Sequence, residues 1–186
     1  MPSDFTIRPA RPGDEHGIFA LVQALAEYEH LSHAVSGSPQ KLAYDLFGPR
    51  PAAEALVVET APAPAREARA LEAAPAREAQ ALEAAPTLVA FALFFGNYST
   101  FLTQPGLYLE DIFVLPAERR RGIGKALLRA VARLACDRNC GRLEWSVLDW
   151  NASAIAFYET LGASVLPDWR ICRVTAASLA ALASPL

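Results

Sequence analysis

The densest run of anion-binding groups is Arg119-Arg120-Arg121-Gly122-Ile123-Gly124-Lys125, set between a strand-like stretch and a helix-like one. Glycines at such a junction let backbone N–H groups approach an anion closely. The start of a helix adds unpaired donors and the positive end of the peptide dipole, and the arginines supply charge for phosphates. The string is not a Walker loop, because GxxxxGK[ST] is absent, and only Gly122 and Gly124 keep the spacing of the dinucleotide fingerprint. A strand earlier, LYLEDIFVL carries Glu110 and Asp111 side by side, and regular alternation sends them to opposite faces. Downstream, Asn151 opens a helix as its cap, and Tyr158 lies four residues before Gly162, where a helical tyrosine either packs or offers its phenol. Metal chemistry has little support. Cys136, Cys140 and Cys172 are an odd number in no ligand spacing and are expected to be buried thiols, while His16, His30 and His33 are scattered.

These groups must be held by an alternation of strands and helices. Phe5 to Arg8 reads as a short strand. Asp14 then offers an N-cap for a helix whose Ile18, Leu21, Val22 and Leu25 share one face. A second helix starts at Ser38-Pro39 and stops at Gly48. Two strands follow, the second running to about Phe95, with Gly96-Asn97 and Pro105-Gly106 bracketing a turn before the strand at residues 107–115. A long helix comes next, with Ile123, Leu127, Ala130, Val131 and Leu134 apolar and Gly141 just beyond its end. RLEWSVL reads as a strand, Asn151 caps a helix reaching Gly162, WRICRV makes a last strand, and Thr175 caps a tail helix. The order β-α-α-β-β-β-α-β-α-β predicts an α/β (α+β) fold, a mixed sheet with helices on both faces.

One segment stands apart. Residues 63–73 read APAREARALEA and residues 74–84 read APAREAQALEA, an eleven-residue unit repeated with one change, Arg69 against Gln80. Two copies cannot make a solenoid. The flanks, ALVVET and TLVAFALFF, are both strand-like, so residues 61–86 read as an insert lengthening a hairpin turn, where extra chain adds little to the free energy of closure. The expectation is one domain over residues 1–186 carrying this insert.

Composition excludes several classes. An apolar fraction of 53% raises the question of a membrane, but 37 alanines inflate it and no uninterrupted run of about 18 apolar residues occurs. The first residues lack a signal-peptide profile, which points to a cytoplasmic protein. A net charge of −3 argues against a nucleic-acid binder, which usually carries a basic stripe.

The motifs together resemble a known family. R-x-x-G-x-G opening a helix after an acidic strand, met by Arg119, Gly122 and Gly124, resembles the acetyl-CoA pyrophosphate loop of the GNAT superfamily of N-acetyltransferases. LDWNASAIAFYETLGA resembles its other signature, an Asn at a helix start followed by Phe-Tyr-x-x-x-Gly. YLEDIFV, VLDWN, FYETLGA and ALAEYEH are similar to the spermidine/spermine (diamine) N-acetyltransferases, and VLDWN most resembles their thialysine N-acetyltransferase branch. The resemblance implies a mostly antiparallel central sheet, acetyl-CoA as co-substrate, no metal and a homodimer. It implies Glu110 as the base acting through water and Tyr158 as the acid for the departing thiolate. It assigns the cofactor to the backbone of Ile112, Phe113 and Val114, to Arg119 through Lys125 (Arg120, Arg121, Gly122, Ile123 and Gly124 included), and to Asn151, Ser153 and Ala154. It assigns the amine acceptor to Tyr28, Glu29 and Glu110; beside these, Asp111 is a candidate substrate carboxylate, Trp169 either walls the acceptor pocket or fills core, and Trp145 and Trp150 are expected to pack.

The acceptor expected is a primary amine of a small cationic metabolite: a diamine, a polyamine or a thialysine-like molecule. The turn GNYSTFLTQPG lacks an acid that polyamine-specific members carry, and SVLPDWR is shorter than its counterpart, so a short amine with one or two charges fits better than spermine. Two other readings are a protein or peptide amine acetyltransferase and a non-catalytic acyl-CoA-binding module. The second has no use for Glu110 and Tyr158.

Overall fold

The computed structural model describes residues 4–60 and 87–184, which fall into two compact units, Met1–Ser146 and Val147–Leu186. The repeat-bearing insert lies outside the described residues.

In the first unit, apolar runs build five strands: β1 (Phe5–Pro9), β2 (Glu54–Thr60), β3 (Thr87–Ser99), β4 (Gln104–Val114) and β5 (Leu143–Trp145). They lie in sequence order; β1 to β4 are antiparallel neighbours, and β5 runs parallel to β4. Thr60 sits opposite Thr87, so the chain that holds the insert joins two paired strands. The centre of β2 and β3 reads as a continuous apolar run because both faces are covered. On one face α1 (Glu15–Tyr28) and α2 (Pro39–Phe47) bring Ile18, Leu21 and Leu46 onto Val57, Phe91 and Phe113. Phe94, three residues from Phe91 and therefore on the other face, meets Arg138 at the end of α3 (Ile123–Asp137), which buries Ile123, Leu127, Leu128 and Val131.

A bulge in β4 overturns the expected alternation of its acids. Phe94 pairs with Leu109 and Leu93 pairs with Asp111, so Glu110 is an extra residue without a partner on β3. Tyr108 and Glu110 point to the α1 face by alternation from Leu109, and Asp111 joins them because it pairs with Leu93, which packs on the α1-side core. The turn falls inside the expected bracket, but it is shorter than the two glycine-bearing pairs imply. β3 runs on to Ser99 and β4 begins at Gln104, so Pro105-Gly106 lies inside the ladder opposite Asn97 and Tyr98. Gly106 serves close approach, since a Cβ there would collide with Asn97 Oδ1 and crowd the Arg142 carbonyl.

Helix boundaries follow end chemistry. Ser38 Oγ accepts from Lys41 N (3.2 Å) and Gly48 closes α2, as expected. Asp14 sits at the N-cap position of α1 without making the capping bond; its carboxylate instead receives Arg8 (2.6 and 2.8 Å) and the Arg11 N–H (2.7 Å). α3 ends before Gly141: Asn139, at φ 54°, takes the left-handed position, and Cys140 N donates to Ala135 O (2.9 Å).

The second unit holds α4 (Ala152–Glu159) and α5 (Ala176–Ala183). WRICRV forms no strand among the described residues, and RLEWSVL contributes only Leu143–Trp145, so five strands replace the expected six. A strand needs a partner edge for its ladder, which no local pattern specifies. Thr175 precedes α5 but makes no side-chain capping bond. The thiols differ from expectation too: Cys136 and Cys172 are exposed and Cys140 is partly buried. Of the tryptophans expected to pack, Trp145 is partly buried and Trp150 is exposed.

Candidate active site

The bulge and the end of α1 assemble a group of carboxylates. Glu29 follows Tyr28, the last residue of α1, and the helix stops there through a paired turn: His30, at φ 61°, donates its N–H to Glu27 O (3.1 Å), and Leu31 N donates to Ala26 O (2.7 Å). Glu29 is partly buried, and burial raises its pKa. The Asp111 carboxyl is pushed up to about 6 by burial, then by the charges of Glu110 and Glu29. Three acids from two distant segments therefore share one field on the α1 face of β4. A cation entering that field removes the repulsion, so the arrangement favours an ammonium group. Tyr108 lies on the same face, its hydroxyl 2.7 Å from Ser146 Oγ. Sequence reasoning passed over Tyr108; its place two residues before Glu110 was the available signal.

Next to these acids lies the basic loop. Gly122, at φ 79°, is the N-cap of α3, a conformation that favours glycine. The N–H groups of Ile123, Gly124 and Lys125 follow in the first turn, where an α-helix leaves its donors unpaired. Such a helix start and its flanking cations fit the phosphates of a nucleotide-bearing co-substrate. Arg121 binds Asp4 (2.6 Å) and Glu118, while Arg120, at φ 65°, makes no ion pair among the described residues. Arg119 turns elsewhere: its Nε donates to Val114 O (3.1 Å) and its guanidinium lies 4.6 Å from the Tyr28 ring centre and 5.7 Å from that of Phe113. Ile112, Phe113 and Val114 continue β4 past the bulge, whereas β5 pairs only with Leu107–Leu109. A separate groove of about 510 Å³ between β1, β2 and α3 contains none of the expected site residues.

The remaining candidates belong to the second unit. Asn151 caps α4 as expected, its Oδ1 accepting from Ala154 N (3.2 Å) and Ser153 Oγ (3.1 Å). Gly162, at φ 90°, ends the helix, and Ala163 N donates to the carbonyl of Tyr158 (3.1 Å). That closure explains the spacing between the two: Tyr158 occupies the last turn that the glycine terminator locks. Tyr158 is partly buried, its ring 5.4 Å from Phe157, and Trp169 is 74% exposed. Among the described residues no group of three His, Cys, Asp or Glu side chains could hold a metal, and no helix is long and apolar enough to cross a membrane.

Residues 47–163, more than half of the chain, match the family model described as the acetyltransferase (GNAT) family. The chain belongs to the GNAT family. Among curated proteins this GNAT acetyltransferase is similar to the L-ornithine N5-acetyltransferase of Arabidopsis thaliana, at 37% identity covering 95% of this chain and 86% of the relative. It is equally similar to the thialysine N-epsilon-acetyltransferase of Sus scrofa, at 37% identity over 87% and 85% of the two chains. An integron cassette protein from the mobile metagenome of V. cholerae shares the fold, with a TM-score of 0.68, 21% identity and coverage of 98% and 99%. Its GNAT fold is thus the mixed α/β arrangement the motifs implied, and the enzyme is an acetyl-CoA-dependent N-acetyltransferase.

Proposed function

We propose that this enzyme acetylates the terminal primary amine of a short cationic metabolite of the ornithine or thialysine kind. The observation that carries the reading is the convergence of Glu29, Glu110 and Asp111 beside a helix start suited to phosphates. The curated relatives named for ornithine and thialysine support the size and charge of the acceptor. A polyamine reading has less support, because the β3–β4 turn carries no acid.

An amine of pKa about 10 is almost wholly protonated at neutral pH. In this reading Asp111 and Glu29 hold it as the ammonium, and Tyr28 and Trp169 are the acceptor-binding aromatics. Glu110, the exposed residue of the bulge, takes the ammonium proton through water. The freed nitrogen attacks the thioester carbonyl, the carbon–sulfur bond breaks, Tyr158 delivers its phenolic proton to the departing thiolate, and the second proton shed by the nitrogen as it becomes an amide restores the phenol. The backbone of Ile112–Val114 lines the pantetheine arm; Arg120, Arg121, Lys125 and the N–H groups after Gly122 take the phosphates, with Asn151, Ser153 and Ala154 contributing from α4. Transfer is direct, without an acyl-enzyme, so positioning supplies much of the acceleration. Both units serve one acetyltransferase domain, and the working form is a homodimer.

The test is thiol release from acetyl-CoA with a panel containing ornithine, thialysine, putrescine, spermidine and a lysine-bearing peptide. Turnover of the short amines well above the others is expected, together with loss of turnover in Tyr158→Phe. Preference for the peptide points to a protein amine acetyltransferase, and tight acetyl-CoA binding without turnover of any amine points to a binding module.

A further inference from the structure

The three consecutive arginines of the loop face three different environments. Arg121 is held by Asp4 and Glu118, and Arg120 makes no ion pair among the described residues. Arg119 leaves the loop altogether. Its Nε is committed to the carbonyl that ends β4, and its flat guanidinium lies over Tyr28 and beside Phe113. Tyr28 ends α1 and also packs against the α1-side core, and Glu29 is the very next residue, before the turn that closes the helix. Whatever fixes Tyr28 therefore fixes the point from which Glu29 projects toward the acids of β4.

We propose that Arg119 is a positioning residue of the amine-acceptor site: acting through Tyr28, it clamps the end of α1, and with it Glu29, onto the end of β4. Its backbone belongs to the phosphate loop while its side chain serves the acceptor, so one residue ties the two substrate sites together. This role rests on the acetyltransferase reading above. It requires arginine in particular, because only a planar guanidinium can stack on a ring while its Nε donates to a carbonyl in its own plane. A phosphate ligand has no such requirement, since lysine binds phosphate well as a point charge.

That difference sets the experiment, made with the full chain. In Arg119→Lys, the KM for the amine that the wild type uses best is expected to rise by about two- to fivefold, the worth of an exposed cation–π contact. Calorimetric affinity for acetyl-CoA alone is expected to stay within about twofold of wild type on the same reasoning. Arg120→Ala should show the opposite split. Tyr28→Leu, which removes the ring under the guanidinium, should match Arg119→Lys. Weakened acetyl-CoA binding in Arg119→Lys with an unchanged amine KM overturns the proposal. If the wild type turns over no amine, the acetyltransferase reading fails by itself. The inference about Arg119 is then judged by a double-mutant cycle in urea between Arg119→Ala and Tyr28→Leu. A two- to fivefold non-additivity in the unfolding constant supports the contact, and simple additivity overturns it.

Discussion

Replacing Asp111 by Asn should make the protein more stable and less active, and the gain should depend on pH in a defined way. The Asp111 carboxyl moves from its ordinary 3.8 to about 6 on folding, because it is partly buried and faces Glu110 and Glu29. A folded-state pKa raised above the unfolded one means that the folded protein holds the proton more tightly. The stability this confers is full below the unfolded pKa and is lost as pH rises through about 6. At pH 7.5 the ionised group therefore costs about 3 kcal/mol, and at pH 5 about 1.5 kcal/mol. Asn keeps the shape of the protonated acid and never ionises. Urea unfolding should thus find Asp111→Asn more stable than wild type by roughly 3 kcal/mol at pH 7.5 and roughly half that at pH 5. For a chain of this length the larger gain corresponds to a rise in Tm of about 6–12 °C. The same variant should have a raised KM for the amine, since the field that selects an ammonium is weakened. A variant no more stable than wild type at pH 7.5, or a gain that does not change between pH 5 and 7.5, would refute the account of the three carboxylates.

Other outcomes can be checked with the same preparations. The amine KM of the wild type should fall as pH rises through about 6, because Asp111 then becomes charged, while acetyl-CoA affinity should not follow that curve. Glu110→Gln should lower kcat by about a hundredfold or more, the usual contribution of a proton-transfer group, while the urea midpoint at about pH 7.5 rises slightly because its repulsion of Asp111 is removed. Gly122→Ala should destabilise by roughly 1–2 kcal/mol, since φ is 79° there, and should weaken acetyl-CoA binding measured by calorimetry. Arg8→Met should destabilise by about 3–5 kcal/mol, because Asp14, only 10% exposed at its side chain, loses its partner. Arg8 holds the Asp14 pKa below its ordinary value, so this loss should be visible in urea titrations above about pH 4 and fade as pH falls below it.

Much of the molecule was legible because its signals are local. Ser38-Pro39 starts α2, Asn151 caps α4, and Gly162 ends it, each through bonds reaching only a few residues. The apolar spacing of Ile123, Leu127 and Val131 marked the buried face of α3 in the same way. Where the readings failed, a non-local partner had decided the matter. Asp14 looks like a cap but is claimed by Arg8 from β1, and Gly106 looks like a turn residue but admits Asn97 and Arg142 from neighbouring strands. His30 and Asn139 end α1 and α3 in the left-handed conformation that glycine more commonly takes.

The order of motifs along the chain was enough by itself to identify the family, the co-substrate and the candidate residues. A helix start with glycines and cations binds phosphates by local geometry, and Glu110, Asp111, Tyr28 and Glu29 could each be named from their neighbours. Only the tertiary structure decided how the acids combine. Alternation along an isolated strand separates Glu110 from Asp111; the bulge that unites them exists because β3 pairs with β4 in one particular register. The approach of Glu29, and the stacking of Arg119 on Tyr28, likewise depend on α1 packing across that strand. Register and packing are contacts between distant segments, and no window of sequence contains both sides of them.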